Sequence, residues 1–233
     1  MSRPFHCLAL LFLLVLCTSS QGSVKVDSMT VAPFGKVHVY VPEGPPKSVT
    51  IMISGDAGWK FGVIDFAKHF AERKSLVIGV DILRYYADLK ARDGDCLHIA
   101  TDFIALAAEA EKHYGIPEYR EPMLMGYSSG ATMVYALLCQ SRPGTFQGGI
   151  SLGFCADVEL PKLFCESNGL KLHPLVNGKS FDLDPDSKLS EPWVVLHGKL
   201  DQVCNYKNTA DFIAGCSDAV LIPLERVGHG FGK

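Results

Sequence analysis

The sequence predicts one α/β domain built on a mostly parallel sheet, and three observations predict it. Short apolar runs alternate with one-sided helical patterns from about residue 37 onward. Several of those runs are continuously apolar rather than alternating, which is how strands covered on both faces read. A turn of glycines and serines, Gly126-Tyr127-Ser128-Ser129-Gly130, falls directly after one run and before one helix pattern.

The strand-like runs, in order, are Val37–Val41, Val49–Ser54, Leu76–Asp81, Met123–Gly126, Gly149–Leu152, Trp193–His197 and Val220–Pro223. Between them Val63, Phe66, Ala67 and Phe70 recur at i, i+3, i+4, i+7, as do Ala131, Val134, Tyr135 and Leu138. Ile99, Phe103, Leu106 and Ala110 form a third stripe. Each stripe suits a helix lying on a sheet. Strand–helix–strand alternation gives parallel strands and right-handed crossovers. Residues 22–36 read as a loose lead-in. Residues 154–191 carry Pro161, Pro174, Asn177, Gly178 and Pro185 without sustained periodicity and read as a lid or binding excursion before the last two strands. Only ten residues follow Pro223, which reads as a short or clipped chain.

At 233 residues, with 48% apolar and 20% charged side chains, the chain has enough apolar surface for a real core. That excludes disorder, collagen and coiled coil. A net charge of −3 provides no basic stripe, so no nucleic-acid partner is expected. Residues 1–22 read as a signal peptide, leaving 23–233 as the single domain. The apolar run Cys7–Cys17 is eleven residues long, too short to span a bilayer. Leu16 before Cys17 argues against a lipoprotein anchor. Export to the periplasm or beyond permits disulfides. Of the six cysteines after the leader, Cys155 and Cys165 are the first local pair and Cys96 with Cys204 the second, while Cys139 reads as a small core residue. No cysteine–histidine spacing suits a structural metal.

G-x-S-x-G between a strand and a helix is the pattern of a nucleophile elbow, in which a serine sits on a sharp, strained turn. This makes the expected architecture an α/β-hydrolase fold and Ser128 the candidate nucleophile. The base and acid of such a fold follow in the order acid, then histidine. His229, between Gly228 and Gly230 after the last strand, is the candidate base. Asp201, just past Trp193–His197, is the candidate acid, with Asp157 in reserve. His197 reads as a half-buried strand histidine. All three candidates fall past strand C-termini, where open α/β sheets hold their sites. The backbone N–H groups of Ser129 and Asp56 are the candidate oxyanion donors. The Asp56 carboxylate either binds a cationic substrate group or caps Trp59–Phe61. The loop Ile82–Tyr86 is expected to open onto the site, with Arg84 and Tyr85 as candidate substrate-binding residues. Arg84 either grips a phosphate or forms a surface salt bridge.

Ser54-Gly55-Asp56-Ala57-Gly58-Trp59, Val80-Asp81-Ile82-Leu83-Arg84-Tyr85-Tyr86, Gly126–Ala131, Leu152-Gly153-Phe154-Cys155 and Gly228-His229-Gly230-Phe231 resemble the bacterial VirJ/AcvB virulence-protein family. The resemblance spans about residues 35–232. It implies a periplasmic α/β-hydrolase-like domain linked to hydrolysis of lysyl-phosphatidylglycerol in the inner membrane and to type IV secretion. The chain carries Ala57 where the family often has glycine. The expectation is therefore a serine hydrolase that needs no metal or organic cofactor. Its substrate would be an aminoacyl ester of phosphatidylglycerol, met transiently at the inner-membrane surface. The alternatives are a carboxylesterase for small soluble esters and a non-catalytic module that assists type IV secretion.

Overall fold

The computed structural model describes residues 24–176 and 178–231. The expected signal peptide lies outside the described residues. The chain opens with strands β1 (Lys25–Val31), β2 (Gly35–Val41) and β3 (Ser48–Ile53), then helix α1 (Ile64–Glu72), β4 (Ser75–Val80), α2 (Ile82–Ala91) and α3 (Ile99–His113). It continues through β5 (Met123–Tyr127), α4 (Ser129–Gln140), β6 (Gly148–Leu152), β7 (Asp157–Glu159), β8 (Leu172–Pro174) and β9 (Ser180–Leu183). It closes with β10 (Trp193–Gly198), α5 (Tyr206–Ala214) and β11 (Ala219–Leu224).

The main sheet has eight strands in the order β1-β2-β4-β3-β5-β6-β10-β11. β1 and β2 run antiparallel to their neighbours, and every pairing from β4 to β11 is parallel. The parallel strands therefore release their loops at one common edge. β4 is buried along its whole length, as a strand with helices on both faces must be. On one face Tyr135, Phe154, Trp193 and Phe212 pack ring to ring beneath α4 and α5, with centroid distances of 4.7–6.4 Å. On the other, Trp59 and the α1 residues Ala67 and Ala71 cover Met52, Val77 and Met125.

Three expectations need correction. The lead-in is β1, paired residue for residue with β2. Its polar Lys25, Asp27, Ser28 and Thr30 hide it from an apolar-run search. As an edge strand it gains order from backbone pairing more than from burial. The excursion holds an antiparallel sheet in the order β7-β9-β8, whose strands of three or four residues are too short to show a period. Val158, Leu160, Phe164, Leu170, Leu172 and Leu183 of the excursion join the main core. The pairing Cys155–Cys165 is replaced by Cys96–Cys165 and Cys155–Cys204, which also removes the Cys96–Cys204 alternative. A bridge of Leu97 beside Phe164 brings Cys165 to Cys96. Cys155 and Cys204 follow the neighbouring parallel strands β6 and β10 and so meet at the same edge. Cys139 is a buried free thiol.

Candidate active site

Ser128 joins β5 to α4 with φ 56° and ψ −124°, a conformation that side-chain-bearing residues rarely adopt. The turn closes because both glycines of the motif are bare. A Cβ on Gly126 would lie 2.0 Å from the Gly130 carbonyl oxygen, and one on Gly130 would lie 2.5 Å from the carbonyl oxygens of Ile53 and Ser54. The Ser128 N–H donates to Leu152 O at 2.9 Å, tying the elbow to β6.

β10 and β11 deliver the other two groups. After β10 the chain turns so that Asp201 Oδ1 accepts the N–H groups of Val203 and Cys204, each at 2.9 Å. That fixes the carboxylate and aims Oδ2 across the edge. The loop after β11 carries His229, whose Nδ1 lies 2.8 Å from Asp201 Oδ2 and whose Nε2 lies 2.9 Å from Ser128 Oγ. A carboxylate only accepts, so Nδ1–H donates to Asp201 and Nε2 is left to accept the Ser128 hydroxyl. The Asp201 side chain is fully buried, while His229 keeps 16% exposure toward the opening. Tyr127 packs against the imidazole, with ring centroids 5.5 Å apart. Burial and the Asp201 charge hold the Tyr127 phenol above its usual range, so it stays protonated.

Sequence reading understated His197. It is fully buried, and its Nε2–H donates to Cys204 O at 2.8 Å while standing 3.5 Å from Asp201 Oδ2. Its Nδ1 has no partner among the described residues. The histidine thus braces the acid's turn from within the sheet, and the Cys155–Cys204 disulfide braces it from β6. Asp201, Cys204 and His229 also form a grouping compact enough for a metal. The Cys204 sulfur is committed to its disulfide and offers no thiolate.

A cleft of about 210 Å³ opens beside Ser128 and is lined by Asp56, Ser129, Thr132, Asp157, Glu159 and Val203, among others. Asp56 comes from the loop after β3. That loop presses on the elbow, since a Cβ on Gly55 would be 3.0 Å from the Ser128 Cβ. Asp157 and Glu159 alternate on β7 and are both exposed, with Val158 turned into the core between them. Asp157, the reserve acid, therefore belongs to the cleft wall and not to the hydrogen-bonded set. Glu159 was not singled out, although its i, i+2 spacing from Asp157 is the signal of a shared strand face.

The expected substrate-binding pair is not assembled. Residues 82–86 form the start of α2 instead of an open loop, because Asp81 caps the helix by accepting the Leu83 N–H. That turns Tyr85 inward, where it is fully buried, stacks on Phe34 and donates to Asp102 at 2.7 Å. Tyr85 is a core residue, while Arg84 points to solvent on the helix exterior.

The fold is shared with solved structures that include an esterase domain. TT1662 from Thermus thermophilus is 18% identical, with a TM-score of 0.60 over 89% of this chain and 91% of that chain. The esterase domain of a Rhodothermus marinus protein is 15% identical, with a TM-score of 0.59 over 90% of each chain. Est1E from Butyrivibrio proteoclasticus is 12% identical, with a TM-score of 0.54 over 89% of this chain and 91% of that chain. At such identities the likeness is one of fold. No curated protein matches the chain. The profile of the bacterial virulence protein (VirJ) family matches residues 47–147, which run from β3 through α4 and include the elbow. The chain thus has an α/β-hydrolase fold, and its segment 47–147 matches the model of the bacterial virulence protein (VirJ) family.

Proposed function

We propose that the protein is an exported serine hydrolase of carboxylic esters. The observation that carries this reading is the continuous hydrogen-bonded line from Asp201 through His229 to Ser128. His229 Nε2 takes the Ser128 proton as Oγ forms a bond to the ester carbonyl carbon. The oxyanion is held by the N–H groups of Ser129 and Asp56. Ser129 opens α4, where the first amides of a helix have no acceptor within it and the helix dipole favours negative charge. The imidazolium, stabilised by Asp201, returns its proton to the departing alcohol oxygen as the carbon–oxygen bond breaks. A water then gives its proton to His229 and its oxygen to the acyl carbon. Release of the acid restores the serine.

The substrate we favour is an aminoacyl ester of phosphatidylglycerol, as in lysyl-phosphatidylglycerol. The carboxylates of Asp56, Asp157 and Glu159 on the cleft wall suit the ammonium groups of such an acyl unit. Two disulfides support an oxidising compartment such as the periplasm. The test is turnover of lysyl-phosphatidylglycerol beside a neutral short-chain ester by the purified protein. Release of lysine by wild type and none by Ser128→Ala is the expected result. Turnover of the neutral ester alone would refute the substrate. Turnover of neither by folded protein would refute the enzyme.

A further inference from the structure

Four large apolar side chains stand in water at the edge of the sheet that holds Ser128. Phe61 is 61% exposed, Leu83 48%, Leu200 60% and Val203 70%. Single exposed apolar residues are ordinary on a protein surface. What sets these apart is where the topology puts them. Phe61 lies in the loop after β3, Leu83 at the start of α2 after β4, and Leu200 and Val203 in the loop after β10. In the sheet order β4-β3-β5-β6-β10-β11, the first two fall on one side of the elbow after β5 and the last two on the other. The Leu83 side chain reaches the Phe61 loop, since it would lie 3.5 Å from a Cβ on Gly58. Val203 borders the cleft itself.

Charge supplies the second half of the observation. The chain as a whole is acidic, at −3. Yet three of these apolar residues each have an exposed cation as direct neighbour: Lys60 beside Phe61, Arg84 beside Leu83, and Lys199 beside Leu200. Lys199 is paired with Glu225 at 2.6 Å, so Lys60 and Arg84 carry most of the outward positive charge. The carboxylates Asp56, Asp157 and Glu159 are instead gathered in the cleft between the two flanks. Apolar tips flanked by Lys or Arg are the makeup of surfaces that rest in the headgroup layer of an anionic bilayer.

We propose that this edge is a docking surface for an anionic lipid bilayer. Phe61, Leu83 and Leu200 enter the headgroup region, and Lys60 and Arg84 face the lipid phosphates. The open cleft, with its carboxylates, is then turned toward the membrane surface. The inference rests on the ester-hydrolase reading for its purpose, because a lipid-borne ester must be met at the bilayer. Its test does not depend on that reading.

The experiment is flotation of the full mature chain with vesicles of phosphatidylglycerol and phosphatidylethanolamine, beside vesicles of phosphatidylcholine alone. Wild type floats with the anionic vesicles, more weakly at high salt, and stays behind with the neutral ones. The variant Phe61→Ser/Leu83→Ser/Leu200→Ser loses about tenfold or more of the vesicle affinity. It keeps wild-type turnover of a water-soluble ester. Lys60→Gln/Arg84→Gln weakens binding to anionic vesicles and removes its salt dependence. Wild type left in the soluble fraction, or a triple variant that floats as wild type does, overturns the surface. So does a wild-type dimer that the triple variant dissolves without lipid present, because the edge would then bind a second copy. Labelling of Ser128 by a fluorophosphonate without flotation removes the docking surface alone. Flotation without labelling or turnover removes the hydrolase and leaves the surface standing.

Discussion

His197 and His229 approach the same carboxylate oxygen, Asp201 Oδ2, at 3.5 and 2.8 Å. Only His229 reaches the serine. His197 spends its Nε2–H on the Cys204 carbonyl, and its role is to hold the turn that fixes Asp201. The two histidines should therefore separate cleanly by substitution. His229→Ala should leave the melting temperature near wild type and lower ester turnover by about 10³-fold or more. His197→Ala leaves a buried carbonyl without its donor, so it should cost roughly 1–3 kcal/mol of stability while reducing turnover far less. Thermal melts beside initial rates decide this. Equal losses of rate in the two variants would contradict it.

The two disulfides should differ in the same way. They close loops of 69 and 49 residues, and chain entropy gives each about 4 kcal/mol of stabilisation. Cys96→Ser/Cys165→Ser anchors the small sheet less firmly and should lower stability with little change in kcat. Cys155→Ser/Cys204→Ser frees the turn whose Cys204 N–H binds Asp201, and it should lower kcat as well. Rates measured well below both melting temperatures are the check.

The cleft carboxylates should act on binding and not on chemistry. Asp157 and Glu159 are exposed, so each is screened by solvent and salt. Asp157→Asn/Glu159→Gln should raise KM for a lysyl ester about tenfold, leave kcat near wild type, and leave a neutral ester unaffected. A matching rise for the neutral ester would assign these residues to cleft shape rather than charge.

Two histidines outside the site should give the fold opposite responses to pH. His38 stacks on Trp59 at 5.2 Å, and its burial, with Lys36 nearby, holds its pKa below the usual 6.5. Its contribution is present above 6.5 and is lost as pH falls through the lower folded value. His173 is raised by its hydrogen bond to Asp184, so its contribution is complete below 6.5 and lost as pH rises through the folded value. Melting temperatures from about pH 5 to 8 should show His38→Gln reducing acid destabilisation and His173→Asn doing the reverse.

The parallel strands were legible because burial on both faces writes an unbroken apolar run, as in Leu76–Val80. Ser128, Asp201 and His229 could be singled out because a parallel sheet sends every C-terminus to one edge, and each residue lies just past a strand. What stayed hidden depended on pairing rather than pattern. β1 is held by its register with β2, and β7, β8 and β9 are shorter than any period. The disulfides follow strand adjacency, which spacing along the chain does not contain. Tyr85 was misplaced because an aromatic pair after a strand reads equally as a loop and as the first turn of a helix. Only the Asp81 cap decides between them.

The central claim is that Ser128 is the nucleophile and His229 its base. Its most direct measurement is the intact mass of the protein, with peptide mapping, after exposure to a fluorophosphonate. One adduct on Ser128 is the predicted result, absent in Ser128→Ala and formed about 10³-fold more slowly in His229→Ala. An adduct that survives Ser128→Ala, or folded wild type that never labels, would contradict it.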